Sequence, residues 1–175
     1  VCGGDGSSCL ASLSLGAFDA SGSLEVLYDF GSDVAGFQFD VSGLALTGGS
    51  GGVAGDAGFT VSTGSETVIG FSFSGASISA GSGVLTVLEF SSVTAGSTEL
   101  SLGNFGAITA ADGSTFDATA SGSVNHGDPD CAGVYYGGDV IDCAGDCGGS
   151  AVEDCAGDCG GSAVEDCAGD CGGSA

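Results

Sequence analysis

Residues 24–30, Leu24-Glu-Val-Leu-Tyr-Asp-Phe30, alternate along the chain as a half-buried β-strand does. Every second side chain is large and apolar, and the carboxylates of Glu25 and Asp29 fall on the other face. Further apolar sets with this period are Phe37/Phe39/Val41, Phe59/Val61, Ile69/Phe71/Phe73, Val84/Thr86/Leu88/Phe90, Leu100/Leu102 and Phe116/Ala118/Ala120. Turn-forming clusters at residues 47–52 and 80–83 separate such runs. We therefore predict an all-β fold of about nine short strands, spaced as in an antiparallel β-sandwich.

The composition excludes several classes of function. The chain has 175 residues, with 37 glycines, no Lys or Arg, 23 acidic residues and a formal net charge of -23. A chain without cations cannot hold phosphates by charge, which excludes nucleic-acid binding and attachment to anionic membrane surfaces. No apolar run approaches the ~18 residues that a membrane-spanning helix needs, so no membrane insertion is expected.

The cysteines divide the chain into three segments. Two of the nine cysteines lie in residues 1–9, none lies between Leu10 and Asp130, and seven lie between Cys131 and Cys171. The only proline, Pro129, falls among turn residues at the boundary. We predict an N-terminal Cys/Gly segment over 1–9, a β-sandwich over 10–124 and a Cys/Gly-rich tail over 125–175.

A 12-residue repeat fills the tail. The unit Asp-Cys-Ala-Gly-Asp-Cys-Gly-Gly-Ser-Ala-Val-Glu occupies residues 142–153 and 154–165, and a shortened copy occupies residues 166–175. A degenerate copy at residues 130–141 has Tyr135 where the second cysteine belongs. Segment Val1-Cys-Gly-Gly4 matches the second half of a unit, which suggests a processed subunit or one segment of a longer array. Such repeats stack or form strings and seldom make enzymes.

The cysteines are best explained as disulfide staples. Zinc ligation suits tighter pairs accompanied by histidine, and redox catalysis requires a Cys-x-x-Cys motif beside a βαβ unit. The tail holds few aliphatic side chains, so we expect sulfur links and adjoining molecules to order it. The residues assigned to disulfides or assembly are Cys2, Cys9, Cys131, Cys143, Cys147, Cys155, Cys159, Cys167 and Cys171.

The pairing of these cysteines stays open between two arrangements. Bonds within a repeat would join cysteines four apart, such as Cys143 and Cys147, whereas bonds between repeats would join Cys147 to Cys155, eight apart. Because Tyr135 removes one expected partner, we predict that Cys131 is free or bonded to a cysteine outside residues 131–175.

Two family resemblances are carried by these residues. The strands at residues 37–41, 68–73 and 83–90 resemble those of cohesin-type domains. This likeness, over about residues 10–124, implies a nine-stranded jelly-roll sandwich of an extracellular bacterial protein, related to some carbohydrate-binding modules. The Asp-Cys-x-Gly-x-Cys-Gly-Gly units look like Cys/Gly-rich repeats of large secreted and surface proteins, which implies a structural role at the cell surface.

The sequence contains few signals for metal binding, catalysis or modification. Oxygen ligands in glycine-containing loops favour calcium, and the candidate ligands are Asp128, Asp130 and Asp139, although no EF-hand loop is found. No cofactor is otherwise required. His126 is the only histidine, and a single histidine in a linker is seldom a catalytic base, so we predict that the protein is not an enzyme. The abundant Ser and Thr are candidates for O-linked glycans.

We expect a secreted structural subunit that polymerises with copies of itself into an extracellular fibre or surface appendage. Assembly would run head-to-tail, through the repeats and through the edges of the sandwich. The alternative is a cohesin-like module that binds a protein or a glycan, held away from the cell surface by a disulfide-stapled spacer. Contacts between like subunits through residues 125–175 would distinguish the two.

Overall fold

A computed structural model describes residues 10–174 of the chain. The polypeptide divides into two compact units, the first ending at Gly127 and the second beginning at Asp128. The division lies among the turn residues around Pro129 that the sequence also marks as a boundary. The first unit is almost entirely β-structure, which confirms the predicted fold class.

The described part of the first unit contains eleven strands and one short helix, where about nine strands are expected from sequence spacing. In chain order they are β1 (Leu10–Asp19), β2 (Ser23–Phe30), β3 (Val34–Val41), β4 (Leu44–Ser50), α1 (Gly52–Asp56), β5 (Thr60–Thr63), β6 (Thr67–Phe71), β7 (Gly81–Val93), β8 (Ser97–Ser101), β9 (Ala107–Ala110), β10 (Asp117–Ala120) and β11 (Ser123–Asn125).

These strands form two sheets packed as a sandwich. The first sheet has the order β10-β1-β2-β7-β4, and the second has the order β11-β8-β3-β6-β5 with β9 also paired to β3. All neighbours are antiparallel except β1 and β10, which run parallel. The parallel pair brings residues from near the two ends of the unit into one sheet.

The core lies between the sheets and follows the predicted alternation at most strands. On β2, the side chains at 24, 26, 28 and 30 are all buried, whereas Asp29 is exposed. On β3, Phe37, Phe39 and Val41 are buried as predicted. Rings stack through this layer, with centroids of Phe37 and Phe39 5.8 Å apart and those of Phe37 and Phe59 6.1 Å apart. These aromatic contacts account for the large apolar residues of an otherwise glycine-rich sequence.

The prediction for β6 is wrong by one residue. Val68 is fully buried, whereas Ile69 is 40% exposed and Phe73, just beyond the strand, is 87% exposed. The cause is Gly70, which pairs with Phe37 on β3. A Cβ atom at position 70 would occupy the space of the Phe37 ring, so the inward position opposite that ring has to be glycine.

Two predicted turns are also corrected. Residues 81–83 belong to β7, where Gly81 and Gly83 pair with Phe30 and Tyr28. Residues 47–52 complete β4 and begin α1, so that this glycine cluster is ordered structure. Within β7, the register shifts at Leu85, and this bulge buries Leu85 and Thr86 together while Val84 stays half-buried.

Candidate assembly site: the disulfide-linked repeats

An aspartate opens each repeat and holds its turn together. The repeats are numbered here 1 (130–141), 2 (142–153), 3 (154–165) and 4 (166–174 in the described chain). In repeat 2, Asp142 Oδ1 accepts the backbone N–H groups of Ala144 at 2.9 Å and Asp146 at 2.9 Å, and Oδ2 accepts that of Ala151 at 3.1 Å. Cysteine spacing alone does not predict this role, although an aspartate stands at the same place in every copy of the repeat.

The same set of hydrogen bonds from backbone N–H groups to the opening aspartate, here called the aspartate bracket, recurs in the other repeats. Asp154 accepts three N–H groups at the equivalent positions, and so does Asp130 in the degenerate repeat 1. The N–H of Asp146 is the main cause that lowers the pKa of Asp142 below its ordinary value, and the N–H of Asp158 does the same for the pKa of Asp154. The carboxylates that organise the turns are therefore stabilised in their ionised form by backbone N–H groups.

The glycines of each repeat are required by this geometry. In the Cys-Gly-Gly triplet of repeat 2, Gly148 adopts a φ of 67°, which disfavours residues with a side chain. A Cβ on the following glycine, Gly149, would collide with the carboxylate of Asp142. Tyr136 occupies the position of Gly148 in repeat 1 and keeps a φ of 60°, so the degenerate repeat retains the backbone shape.

The disulfides join neighbouring repeats in a staggered series. Cys131 bonds to Cys147, Cys143 to Cys159, and Cys155 to Cys171, each over a sequence separation of 16 residues. In every case the first cysteine of one repeat binds the second cysteine of the next repeat. The Cα atoms of the three pairs lie 5.5–5.6 Å apart, within the ordinary range for a disulfide. We call this arrangement the cysteine ladder.

Backbone contacts accompany the ladder across each repeat boundary. The N–H of Gly148 donates to the carbonyl of Val140, and Gly160 and Gly172 repeat this contact with Val152 and Val164. Isolated β-bridges pair Ile141 with Cys147, Glu153 with Cys159, and Glu165 with Cys171. Each repeat is thus bound to its predecessor by one covalent bond and by backbone pairing.

The cysteines pair between repeats, which is one of the two arrangements that the sequence leaves open, but at neither predicted spacing. The separation is 16 residues, neither of the two spacings expected from sequence, because the bracketed turns bring the first and second cysteines of successive repeats together. Cys131 is bonded within the tail, to Cys147, contrary to the prediction that it is free or bonded elsewhere. Among residues 10–174, the free cysteine is Cys167, which is exposed. Cys2 and Cys9 lie outside the described residues.

The predicted calcium ligands are not gathered into a site. Asp130 and Asp139 do meet, but through a hydrogen bond from the backbone N–H of Asp139 to Asp130 Oδ2 at 3.2 Å. Within residues 10–174, no three His, Cys, Asp or Glu side chains are placed to hold a metal ion together. Both carboxylate oxygens of Asp130 accept backbone N–H groups, so calcium binding stays a prediction from composition alone.

His126 lies in the first unit and is a packed residue. It is 6% exposed, its Nε2 is 2.8 Å from Oγ1 of the fully buried Thr98, and its ring centroid is 4.9 Å from that of Phe18. Burial lowers the pKa of His126 below its ordinary value. Because Thr98 is fully buried and the half-buried Phe18 packs against the ring, little of the imidazole is exposed to a substrate.

The outward surface of the second sheet forms a second candidate surface. We call it the outer face and define it by six outward residues of β5, β6, β3 and β9: Thr60, Ser62, Ile69, Phe71, Gln38 and Ala107. Ile69 lies at its centre, paired with Ser62 on one side and Gln38 on the other. The face is apolar at Ile69 and Phe71 and uncharged at its other four positions, and the carboxylate of Asp40, which accepts a hydrogen bond from Thr67 Oγ1, lies at the next outward position of β3.

Three solved structures similar to this chain are cohesins. One is a non-cellulosomal cohesin from the archaeon Archaeoglobus fulgidus, with a TM-score of 0.47 over 66% of this chain and 89% of that one. Another is a Clostridium thermocellum type I cohesin solved with a dockerin, with a TM-score of 0.47 over 66% of this chain and 98% of that one. A third is the sixth cohesin of Acetivibrio cellulolyticus scaffoldin B, solved with a dockerin (0.44, 66% and 97%). Each is 17% identical to this chain.

No protein-family model matches the chain, and no curated protein matches it. Helices that combine the length and the apolar character needed to cross a membrane are absent from residues 10–174.

Proposed function

We propose that the chain is a structural subunit of an extracellular fibre or surface appendage. The sandwich would be the body of the subunit, and the cysteine ladder would be its joint to the next one. The observation that carries this proposal is the stagger of the disulfides, in which the first cysteine of repeats 1, 2 and 3 bonds to the repeat that follows. Such an array grows by adding units, without breaking any bond that already exists.

The chemistry of the ladder supports an extracellular location. Three disulfides in exposed, water-accessible repeats persist where the surroundings are oxidising, and cytosolic reductants would open them. The absence of Lys and Arg gives trypsin-like proteases no cleavage site, which suits a protein with a long life outside the cell.

Edge strands of the sandwich offer a second route for contacts between copies. In the described residues, β4 ends the first sheet and β5 ends the second, and each has one side without a strand partner. An extended segment of another chain can pair with such an edge. The edges support a homopolymer in which covalent and backbone contacts act together.

Sedimentation of the protein, produced in an oxidising compartment, tests the proposal. We expect species heavier than the 16.4 kDa chain that increase with concentration, and elongated particles by electron microscopy. Adding a reductant should disperse them while the β-sheet circular dichroism of the sandwich persists. A single 16.4 kDa species at high concentration would contradict the proposal. The intact mass of the exported protein also tests the predicted O-linked glycans.

A second candidate function is a protein-binding module, and the outer face favours it. Ile69 and Phe71 point away from the core, and Ile69 is 40% exposed, as apolar side chains at a binding surface are. Two of the similar cohesins were solved with dockerins bound. Because this chain carries no cation, we expect a partner that brings basic side chains or bound metal ions.

Calorimetric titration with a purified dockerin tests this second candidate. Ile69→Asp should abolish any binding, because it places a charge at the centre of the outer face. Val164→Asp is the matched control, since Val164 is exposed in the repeats at 73%. Equal binding by both variants, or none by the native chain, would count against the outer face.

A further inference from the structure

We infer that β5 is a contact edge between two copies of the chain, which pair their β5 strands antiparallel about a two-fold axis at Ser62. The inference rests on the proposed assembly function and deepens it, because it selects one sheet edge, fixes the register and names the residues that meet. The second sheet of one copy then continues, strand by strand, into the second sheet of the other.

Among the sheet edges of the described residues, β5 has the fewest features that prevent pairing. The register of β4 against β7 shifts twice, on either side of Leu46. Strand β10 begins with the charged Asp117, and β11 has only three residues. The free side of β9 is bridged from Thr109 to Thr115. Strand β5 pairs with β6 over all its residues without a shift and has neither charge nor proline, so it lacks the devices that usually protect an edge.

The charge of the chain favours contact at an uncharged edge. Each copy has a formal net charge of -23 and no Lys or Arg, so copies repel one another and Lys or Arg salt bridges cannot join them. Strands β5 and β6 contain no acidic residue, and the nearest acids along the chain, Asp56 and Glu66, lie outside both strands. A basic partner would be attracted to the carboxylates instead. The uncharged edge therefore fits a second copy, held by backbone hydrogen bonds.

The register of β5 against β6 shows which backbone groups face the open edge. The N–H of Gly64 donates to the carbonyl of Thr67 at 2.8 Å, so Gly64 directs its backbone toward β6. Backbone direction alternates along an antiparallel pair, so residues 60 and 62 also face β6, whereas Val61 and Thr63 direct their N–H and C=O groups away from it. No strand of the described chain pairs with that side of β5.

Two antiparallel copies of this edge are complementary. Val61 of one copy lies opposite Thr63 of the other, and the two residues of each such pair exchange two N–H···O=C hydrogen bonds. Ser62 then faces Ser62 of the second copy across the axis as a non-hydrogen-bonded pair, with Cα atoms about 4.5 Å apart. Both serine side chains lie on the outer face, because Ser62 pairs with the outward Ile69. The outer faces of the two copies become one continuous surface.

Disulfide trapping at position 62 tests this register. The background carries Cys2→Ser, Cys9→Ser and Cys167→Ser, which leave the cysteines of the three ladder disulfides in place. In this background, Ser62→Cys should give a dimer at twice 16.4 kDa on a non-reducing gel after air oxidation, because the two Cα atoms are close enough for a disulfide. Digestion after glutamate should yield two linked copies of peptide 26–66.

Thr60→Cys in the same background is the matched control. Residue 60 is exposed on the same strand and face as Ser62. In the proposed register, however, the two copies of residue 60 are separated by four residues along the strands, or about 13 Å, which is too far for a disulfide. Equal trapping at both positions, or none at position 62, would overturn the inference.

Sedimentation of the unmodified chain in a reductant separates this inference from the proposed function. Reduction opens the ladder but leaves residues 10–127, which contain no cysteine, so we expect a dimer that increases with concentration. Ser62→Asp should abolish this dimer because it places two carboxylates opposite each other, whereas Ser121→Asp adds the same charge at an exposed residue outside the strands and should not. A dimer that persists in Ser62→Asp would overturn the inference. A reduced chain that is monomeric at every concentration would also overturn it, while disulfide-dependent particles of the oxidised chain would leave the proposed function standing.

Discussion

Gly70→Ala tests whether the inward position of β6 is reserved for the ring of Phe37. Adding one methyl group places a carbon where the Phe37 ring now lies. The ring cannot turn aside easily, because it is 2% exposed and is stacked on Phe39 and Phe59. Either the ring leaves its rotamer or strands β3 and β6 separate, and both responses weaken the core.

The cost should be that of an overpacked core, about 1–3 kcal/mol in the free energy of unfolding. For a unit of this size, each kcal/mol lowers the melting temperature by roughly 4 °C. We therefore expect Gly70→Ala to melt about 4–12 °C below the native chain, followed by circular dichroism of the β-sheet signal.

Gly48→Ala is the matched control for this measurement. Gly48 also lies in a strand, β4, but a Cβ atom there would meet no other atom within 4 Å. We expect it to change the melting temperature little, or to raise it slightly by restricting the unfolded chain. Phe37→Leu combined with Gly70→Ala should cost less than the two changes added together, because the smaller side chain makes room. Equal melting temperatures for Gly70→Ala and Gly48→Ala would refute the packing argument.

Three further predictions concern other parts of the molecule. Burial lowers the pKa of His126 in the folded chain, so on acidification the unfolded chain binds the proton at a higher pH than the folded chain does. The free energy of unfolding should therefore fall as the pH drops below about 6.5. Thermal melts between pH 7 and 5.5 should show a falling melting temperature, and His126→Gln should remove this fall. Asp154→Asn replaces an acceptor by an N–H donor facing Ala163, so the amides of Ala163 and Asp158 should exchange hydrogen faster, and unchanged exchange would contradict the bracket. Reduction of the disulfides should raise amide hydrogen exchange in residues 128–174 but not in residues 10–127, because that range contains no cysteine. An equal rise in both ranges would contradict this prediction.

Local alternation predicts most of the sandwich but cannot choose between two faces that are both apolar. Around β6, Val68 competes with Ile69 and Phe71 for the inward positions, and the larger side chains suggested the wrong choice. The outcome depends on Phe37, which comes from β3 some thirty residues earlier and needs the space at Gly70. A contact between two strands that are far apart in sequence but paired in the sheet therefore determines which side chains of β6 face the core.

The pairing of the cysteines failed for a related reason. The repeat and its cysteines are evident in the sequence, but the pairing depends on turns shaped by the aspartate brackets, which spacing does not reveal. Tyr135, which replaces the second cysteine of repeat 1, does indicate how the cysteines pair. With it in place, the tail has four first cysteines and three second cysteines, so forward pairing between repeats leaves the last first cysteine, Cys167, unbonded.

The staggered bonds also determine how the tail responds to a cut or a pull. The loops closed by the three disulfides overlap, at residues 143–147 and 155–159, so any single nick between Cys131 and Cys171 leaves both fragments tethered. Under tension, the shortest covalent route between these two cysteines passes through three S–S bonds and only two four-residue stretches. At ~3.5 Å per extended residue and ~5.5 Å per bridge, that route is about 45 Å long, against ~140 Å for the reduced backbone. The oxidised repeats therefore stay covalently connected after a single backbone cleavage and extend much less under tension than the reduced repeats do.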